Sequence, residues 1–298
     1  MKKILVTGGT GLVGTHLIRL LKSKGYEPAI ITRNPQQVPH IKAFHWDIKD
    51  KKMDTEAVVW ADAIIHLAGA GVADKRWTAS RKEEILTSRT ESTQLLYDTL
   101  EKSGSSIKAF VSASAIGYYG FITSDRFFEE TDKPGDEFLA DVVVQWENKV
   151  NQFTAKGIRT AIMRIGIVLA KEGGALLEMG KPPVLAPLGS GKQWLPWIHI
   201  EDLCGAFVWA LETETASGPY NTSGCQPATN EDFTKTLAQV KGKLFVPIGA
   251  PGFVLKIALG EMAGMILEGS RMSYEKITAA GFKYKHTKLE PTLKDILK

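Results

Sequence analysis

Glycines at positions 8, 11 and 14 stand between a short apolar run, residues 4–6, and an amphipathic pattern that predicts a helix. A glycine turn lets the backbone reach positive φ and come close to a ligand, because no Cβ is in the way. The start of a helix presents unpaired N–H groups and the positive end of its dipole, which suit a pyrophosphate. The pattern therefore predicts a dinucleotide site, with a turn that binds no ligand as the alternative. The residues expected to contact the dinucleotide here are Gly8, Thr10, Gly11, Leu12, Val13 and Gly14.

The end of the second predicted strand bears on which dinucleotide is bound. Residues 29–32 form an apolar run that ends in Arg33, and no acid accompanies it. An acid at such a position binds the adenine ribose of NAD, whereas an arginine accommodates the 2′-phosphate of NADP. We therefore predict NADP(H), the alternative being an arginine that is only solvated. Asp47, which follows a third strand, stands where an adenine could pass.

Two further strands, at residues 63–67 and 109–112, are predicted from their apolar runs, and small or hydroxyl-bearing residues follow them. Strands that alternate with helices at this spacing predict an α/β fold, a Rossmann-type doubly wound parallel sheet whose ligands lie beyond the carboxyl ends of the strands. His66 stands among aliphatic residues and is interpreted as a core histidine. The expected site residues from these strand ends are Leu67, Ala68, Gly69, Ser114, Tyr118 and Tyr119.

Together these motifs resemble the extended short-chain dehydrogenases/reductases, the group that includes nucleotide-sugar epimerases and dehydratases. The matching stretches are residues 7–14, His66 to Gly69, Ser112 to Ser114 with Tyr118, Arg164 to Gly166, and residues 197–203. Other stretches resemble an atypical "epimerase family" branch that has a small extra C-terminal domain. These are Thr87-Ser88-Arg89, residues 117–120, Trp146-Glu147, and the tail at 260–262 and 281–282. The resemblance implies a Rossmann fold and a pyridine dinucleotide.

The catalytic pair of that group, Tyr-x-x-x-Lys, is missing from this sequence. In the group the tyrosine is the general acid/base, and the lysine lowers its pKa and holds the nicotinamide ribose. When Glu147 is aligned with the acid that commonly follows the pair, Leu139 and Val143 take the two positions. The sequence thus predicts a cofactor-binding scaffold that lacks its expected proton-transfer pair.

Other residues could supply part of that chemistry, and each has a structural alternative. Ser114 could donate a hydrogen bond to a substrate carbonyl. Tyr118 or Tyr119 could act as the acid, or both could only line the pocket. Glu147 could reach the site from the helix face of Val143, or it could be a buried ion-pair partner.

The second half of the chain offers candidates for substrate binding. Arg164, in a sixth strand predicted at 160–168, is either a clamp on a substrate phosphate or carboxylate, or part of a structural ion pair. Trp194 could stack on a substrate ring or simply pack. His199 alternates with isoleucines and is interpreted as structural, and Asp202 is placed as the N-cap of the helix that follows.

Composition excludes several other classes of protein. The net charge of +4 comes from scattered basic residues, which gives nucleic-acid binding little support. Cys204 and Cys225 have neither metal-ligand spacing nor a disulfide framework, so we expect free thiols in a reducing cytoplasm and no metal. No signal segment precedes the first strand, and Lys256 and Glu261 interrupt the apolar stretch at 251–267, so we expect no membrane span.

The sequence therefore predicts an NADP(H)-binding oxidoreductase or epimerase that acts on a small polar or nucleotide-linked substrate, with a non-catalytic NADP(H) sensor or partner-binding protein as the alternative. We expect a cofactor domain at 1–165, to which residues 195–225 return, and a substrate-side region at 166–298. A helical extension starts at about residue 246. Its apolar stretch at 251–267 predicts a helix buried on most sides, either over the substrate half or in a homodimer contact.

Overall fold

A computed structural model describes residues 1–38 and 40–298. Its strands are β1 Lys3–Thr7, β2 Glu27–Thr32, β3 Lys42–Asp47, β4 Lys52–Met53, β5 Ala63–His66, β6 Ala109–Ala115, β7 Phe127–Phe128, β8 Arg159–Ile165, β9 Ile167–Leu169, β10 Val184–Leu185, β11 Trp194–Leu195, β12 Trp197–His199, β13 Gly218–Thr222, β14 Ala228–Thr229, β15 Leu244–Phe245 and β16 Arg271–Met272. Its α-helices are α1 Leu12–Ser23, α2 Glu56–Trp60, α3 Ala79–Ser103, α4 Phe138–Ala155, α5 Ala175–Met179, α6 Ile200–Glu212, α7 Asn230–Lys241, α8 Gly252–Leu259, α9 Gly264–Leu267, α10 Glu275–Ala279 and α11 Leu289–Leu297.

The main sheet has eight strands in the order β13-β8-β6-β5-β1-β2-β3-β4. All neighbours are parallel except β4, which pairs antiparallel to β3 at one edge. The predicted α/β, doubly wound parallel sheet is confirmed. Strand order reverses between β1 and β5, so the chain leaves the sheet on either side of one crevice at their carboxyl ends. Ligands of such sheets bind at this switch point.

The centre of the sheet is buried on both faces. Four of the five residues of β1 and all four of β5 are buried, and helices cover both faces of the sheet. Against one face α3 and α4 pack together, with the rings of Phe110 and Phe153 stacked at 3.9 Å. Against the other, α1 packs on α6. The residues that follow β1 and β5 are therefore held by a close-packed core.

Two sequence-based element assignments are wrong. The predicted strand at 160–168 is two strands, because Ile165 pairs with Thr222 of β13 whereas Ile167 pairs with Trp197 of β12. Asp202 is not the N-cap of α6: His199 is, and its side chain accepts the N–H of Glu201. The apolar stretch from Ile198 into α6 hides this helix start, since no polar cap other than the histidine precedes Ile200.

Helix α8 also differs from expectation. Its apolar composition predicts burial on most sides, yet none of its residues is fully buried, and Phe253 and Ile257 are 66% and 73% exposed. The helix packs along one side only, chiefly against the 3₁₀ turn Gly260–Ala263. Composition alone cannot show which side of an apolar helix a single chain covers. Among the described residues, no helix is long and apolar enough to cross a membrane.

His66 is a core histidine, as the sequence indicates. It is fully buried, and its ring nitrogens lie 2.8 Å from the hydroxyl of Thr7 and 3.0 Å from that of Thr93. Burial, assisted by the charge of Arg89, lowers the pKa of His66 to about 3. The imidazole is therefore neutral in the folded protein at every pH at which the protein is ordinarily handled.

This depressed pKa predicts a loss of stability in mild acid. Unfolded chains bind a proton at His66 below pH about 6.5, whereas the folded chain does not until pH about 3, so the free energy of unfolding falls as the pH drops through this window. Between pH 7 and 5 the loss from this residue is about 2 kcal/mol. Urea unfolding at the two pH values should show this loss of unfolding free energy in the unmodified protein. The control variant His45→Gln, which changes an exposed histidine, should show the same loss. The same pH slope in His66→Asn would contradict the assignment.

Candidate cofactor and active site

The glycine turn after β1 folds tightly onto the start of α1. Gly8 has a φ of +65°, and its carbonyl accepts the N–H of Gly11 at 3.0 Å. A Cβ on Gly14 would lie 2.3 Å from that same carbonyl oxygen, and one on Gly8 would lie 2.9 Å from the carbonyl carbon of Leu67. Both positions therefore exclude a side chain for reasons internal to the fold.

Gly11 differs from these two glycines because its open side faces outward. A Cβ there would meet only the carbonyl oxygen of Gly8 within 4 Å, at 3.3 Å. Gly11 is the N-cap of α1 and has no side chain that could cap the helix, and no acid stands in the first turn. The start of α1, with the N–H groups of Leu12 and Val13, thus forms a cradle that fits an anion. The neighbouring Thr10 is exposed at the same turn.

The end of β5 lies directly beside this turn. The hydroxyl of Thr7 accepts the N–H groups of both Leu67 and Ala68, each at 3.0 Å. This links the carboxyl ends of β1 and β5 and brings Gly8 against Leu67. Gly69 follows at the crevice edge, so the structure brings these sequence-predicted residues together.

Arg33 and Asp47 follow β2 and β3, which are neighbours in the sheet. The side chain of Arg33 is exposed, and within the described part of the chain no carboxylate lies within salt-bridge distance of it. The carboxylate of Asp47 accepts the N–H of Asp50 at 3.0 Å, and this hydrogen bond lowers the pKa of Asp47. Arg33 is thus available for an anion, while Asp47 also stabilises its own turn.

At the other end of the crevice, apolar side chains stand where the proton-transfer pair is expected. Leu139 and Val143 are 8% and 3% exposed, and both face the turn after β6, where a Cβ on Gly117 would lie 3.4 Å from Cβ of Leu139. Neither can carry a proton. Helix α4 therefore faces the turn with apolar side chains at both positions where the acid/base pair is expected.

One helical turn further along α4, Glu147 forms a buried ion pair with Arg164. Glu147 accepts two hydrogen bonds from Arg164 of β8, at 2.9 Å from Nε and 2.8 Å from Nη2. The hydroxyl of Ser114 donates to the same carboxylate at 2.6 Å. All three side chains are nearly inaccessible. Burial alone lowers the pKa of Arg164, but the hydrogen bonds and charge of Glu147 outweigh it and raise the pKa.

Both tyrosines of the turn belong to this cluster, in different ways. Tyr119 is fully buried, its hydroxyl donates to Asn221 at 2.7 Å and accepts from Arg164 at 2.9 Å, and burial raises its pKa to about 12. Its position favours packing over contact with a substrate. Tyr118 is partly exposed, and the guanidinium of Arg164 lies 3.4 Å from its ring centroid. Of the two phenols, Tyr118 is the one that solvent reaches.

Two further candidates lie outside this cluster. Trp194 is partly exposed, and its ring is stacked by the guanidinium of Arg271 at 4.5 Å rather than by a residue of the crevice. His199 stacks on His286 at 3.6 Å, and together with Asp295 these residues offer ligand atoms within 4.8 Å of one another. The planes of the two imidazole rings are inclined at only 27°. The planes therefore meet much farther from the ring nitrogens than the about 2.1 Å of a metal–nitrogen bond.

Two parts of the chain match known protein families. Residues 4–222 match the NAD dependent epimerase/dehydratase family, and residues 250–296 match a domain of unknown function, DUF1731. The chain belongs to the NAD-dependent epimerase/dehydratase family. An "epimerase family protein" of Staphylococcus aureus (strain NCTC 8325 / PS 47) is 37% identical over 305 residues, with 100% of both chains covered.

Solved structures agree with this assignment. The human epimerase family protein SDR39U1 (isoform 2), solved with NADPH, superposes with a TM-score of 0.86 at 32% identity and covers 99% of this chain and 98% of the human one. The UDP-glucose 4-epimerase of Thermotoga maritima, solved with UDP-glucose, has a TM-score of 0.81 at 20% identity, covers 99% of this chain and 97% of its own, and shows the shared fold alone. The resemblance to the atypical branch with an extra C-terminal domain is confirmed.

Sequence reasoning missed two residues of this family member's crevice. Thr7 stands inside the glycine motif, but its role in fastening the end of β5 depends on a contact 60 residues away. Arg89 stood out only as part of a family motif, yet its guanidinium donates to the carbonyl of Ala70 at the crevice edge. A positively charged residue between serine and threonine in the middle of a long helix was the one available signal.

The ion pair generates a prediction about stability. Arg164→Met leaves the carboxylate of Glu147 buried without its cation, which costs about 3–5 kcal/mol of unfolding free energy. The double variant Glu147→Leu/Arg164→Met removes both charges and should recover most of this loss. Urea unfolding measures both, with Lys2→Met as the control, since it breaks an exposed pair worth less than about 1 kcal/mol. A single variant as stable as the control would show that the pair is not buried in solution.

Proposed function

We propose that this protein binds NADP(H) at the glycine turn and uses it in a hydride-transfer step, as an oxidoreductase or an epimerase, on a small polar or nucleotide-linked substrate. The observation that carries the proposal is the uncapped, outward-open start of α1 at Gly11. NADPH in the human relative supports the cofactor class, and the unpaired Arg33 supports the 2′-phosphorylated form.

Each part of the crevice has its own role toward the dinucleotide. The N–H groups of Leu12 and Val13 hold the pyrophosphate, while Arg33 holds the 2′-phosphate and Asp47 borders the adenine. The small side chain of Ala68 leaves space for a ribose. The dinucleotide, when bound, supplies or accepts the hydride, so the protein has to orient and polarise the partners.

At the reacting end, this chain works without a tyrosine that a lysine activates. Tyr118 is the accessible phenol there and is our candidate proton donor. Ser114 directs its proton to Glu147, so its contribution is to hold the cluster that carries Arg164 beneath Tyr118. Orientation of two bound reactants alone removes several kcal/mol of a barrier.

A second candidate function is a non-catalytic NADP(H) sensor or partner-binding protein. The observation that favours it is the apolar pair Leu139 and Val143, which face the turn after β6 where chemistry is expected.

We propose a cytoplasmic protein in either case, in which Cys204 and Cys225 are free thiols. The division into a cofactor domain at 1–165, with 195–225 returning to it, and a substrate-side region at 166–298 remains our proposal. The exposed face of α8 is our candidate homodimer contact.

The cofactor assignment is tested at Gly11. The extended backbone of Gly11, with φ −77° and ψ 175°, tolerates valine, so Gly11→Val keeps the fold while its side chain fills the space of the pyrophosphate. We expect NADPH binding, followed by fluorescence titration, to weaken at least a hundredfold. Gly252→Val, at the start of α8, is the matched control. Unchanged affinity in Gly11→Val would place the phosphates elsewhere.

The two candidate functions are separated by turnover. NADPH oxidation is measured across carbonyl compounds and nucleotide sugars, with Gly11→Val as the background. Oxidation above that background by the unmodified protein supports the enzyme. Tight binding with no oxidation on any substrate supports the sensor.

Cofactor preference is tested at Arg33. Replacing it with aspartate removes the cation for the 2′-phosphate and provides an acceptor for the ribose hydroxyls of NAD. Arg33→Asp should weaken NADPH binding at least tenfold and improve NADH binding, both measured by equilibrium titration. Arg19→Asp, an exposed substitution on α1, controls for charge alone. If Arg33→Asp left the ratio of the two affinities unchanged, the preference for NADP would lose its basis.

A further inference from the structure

Arg89, in the middle of α3, is a partly buried cation without a counter-charge. Its Nη1 donates to the carbonyl of Ile85 at 2.9 Å and its Nη2 to that of Ala70 at 3.0 Å. Within the described part of the chain, no carboxylate lies within 4 Å of it. Arg81, two turns earlier on α3, pairs with Asp74 and Glu84. Arginines held inside proteins are ordinarily paired, so an unpaired one calls for a ligand or a specific structural reason.

The guanidinium lies at the crevice edge. A Cβ built on Gly69 would be 3.1 Å from Cζ and 3.3 Å from Nε of Arg89, so the side chain lies directly against the residues that follow β5. Strand β5 is the neighbour of β6, with His66 opposite Ser112. The residues after β5 that contact Arg89 therefore lie at the same edge of the sheet as Ser114.

Arg89 also reaches the face of α4 from which the usual lysine is missing. Its Cζ lies 5.4 Å from the ring centroid of Trp146. Trp146 comes three residues after Val143, so the two side chains share one helix face. The guanidinium of Arg89, which belongs to α3, thus lies within one helical turn of Val143, the position on α4 where a lysine is expected.

We infer that Arg89 makes the cationic contact to the nicotinamide ribose that α4 cannot make, as a cofactor-positioning residue supplied by the neighbouring helix. This inference rests on the proposed function. Two of the five guanidinium N–H groups are used by carbonyls that fix the side chain, and Nε, which faces Gly69, has no acceptor among the described residues. Nε of Arg89 is a fixed donor beside the backbone on which a ribose would lie. It is therefore pre-organised to donate to the hydroxyl oxygens of that ribose.

The charge persists under working conditions. Burial, with a smaller effect from Arg81, lowers the pKa of Arg89 only to about 10, so the guanidinium is a cation at neutral pH. The competing explanation is a structural one, in which Arg89 only fastens Ala70 to α3. The two explanations differ in which half of the cofactor depends on Arg89.

The test compares two ligands on the full chain: NADPH, and adenosine 2′,5′-bisphosphate, which has the adenine half and no nicotinamide ribose. Arg89→Met should weaken NADPH about tenfold and leave the bisphosphate within twofold of the unmodified protein, as expected for loss of one charged hydrogen bond. Arg89→Lys should keep most of the NADPH affinity. Lys149→Met is the matched control, because Lys149 also bridges α4 to α3, through Gln94, and it should change neither affinity.

Three outcomes would overturn the inference. Unchanged NADPH affinity in Arg89→Met excludes the contact, and equal weakening of both ligands assigns Arg89 the structural role. Failure of the unmodified protein to bind NADPH removes the proposed function and this inference with it, which separates the two. Should Arg89→Met show no cooperative thermal transition, Arg89→Gln, which keeps a donor for the carbonyl of Ala70, takes its place in the same comparison.

Discussion

A buried positive charge has to be compensated, and the cluster of Ser114, Glu147 and Arg164 is built around that requirement. Arg164 of β8 is 2% exposed, so it needs the bidentate carboxylate of Glu147 from α4. That pair fixes α4 relative to the sheet, receives the hydroxyl of Ser114, and places a guanidinium against Tyr118. At the two positions where the sequence leads us to expect a proton-transfer pair, Leu139 and Val143 make apolar contacts only, and the nearby carboxylate of Glu147 is held in its ion pair.

The two ends of the crevice are specified by different physics. The phosphate end depends on backbone: a tight turn, an uncapped helix and two glycines that exclude any side chain at Gly8 and Gly14. Such a site is built from backbone groups, so it says little about the reaction. The reacting end depends on side chains from β6, β8, α3 and α4 that meet only in the folded chain. Under the proposed function, the residues that would meet a substrate are therefore far apart in sequence.

This division explains what the sequence could and could not predict. The glycine turn and the alternation of strands and helices are local, so the doubly wound sheet and the ends of β1 and β5 followed from them. The partner of Glu147 was left open, because an ion pair across 17 residues leaves no periodic trace. The exposed side of α8 and the cap by His199 were missed for a related reason, since composition does not show which neighbour a helix meets.

An arginine held by the fold without an acidic partner leaves N–H donors that a bound ligand could meet with negative charge or oxygen acceptors. Arg164 is balanced inside the protein by Glu147, which favours the structural ion pair over a clamp on a substrate. Arg33 and Arg89 lack acidic partners in the described structure, and they stand after β2 and beside the end of β5, two strands that flank β1 in the sheet. Under the proposed function one dinucleotide accounts for both residues, because its 2′-phosphate would meet Arg33 and its nicotinamide ribose would meet Arg89.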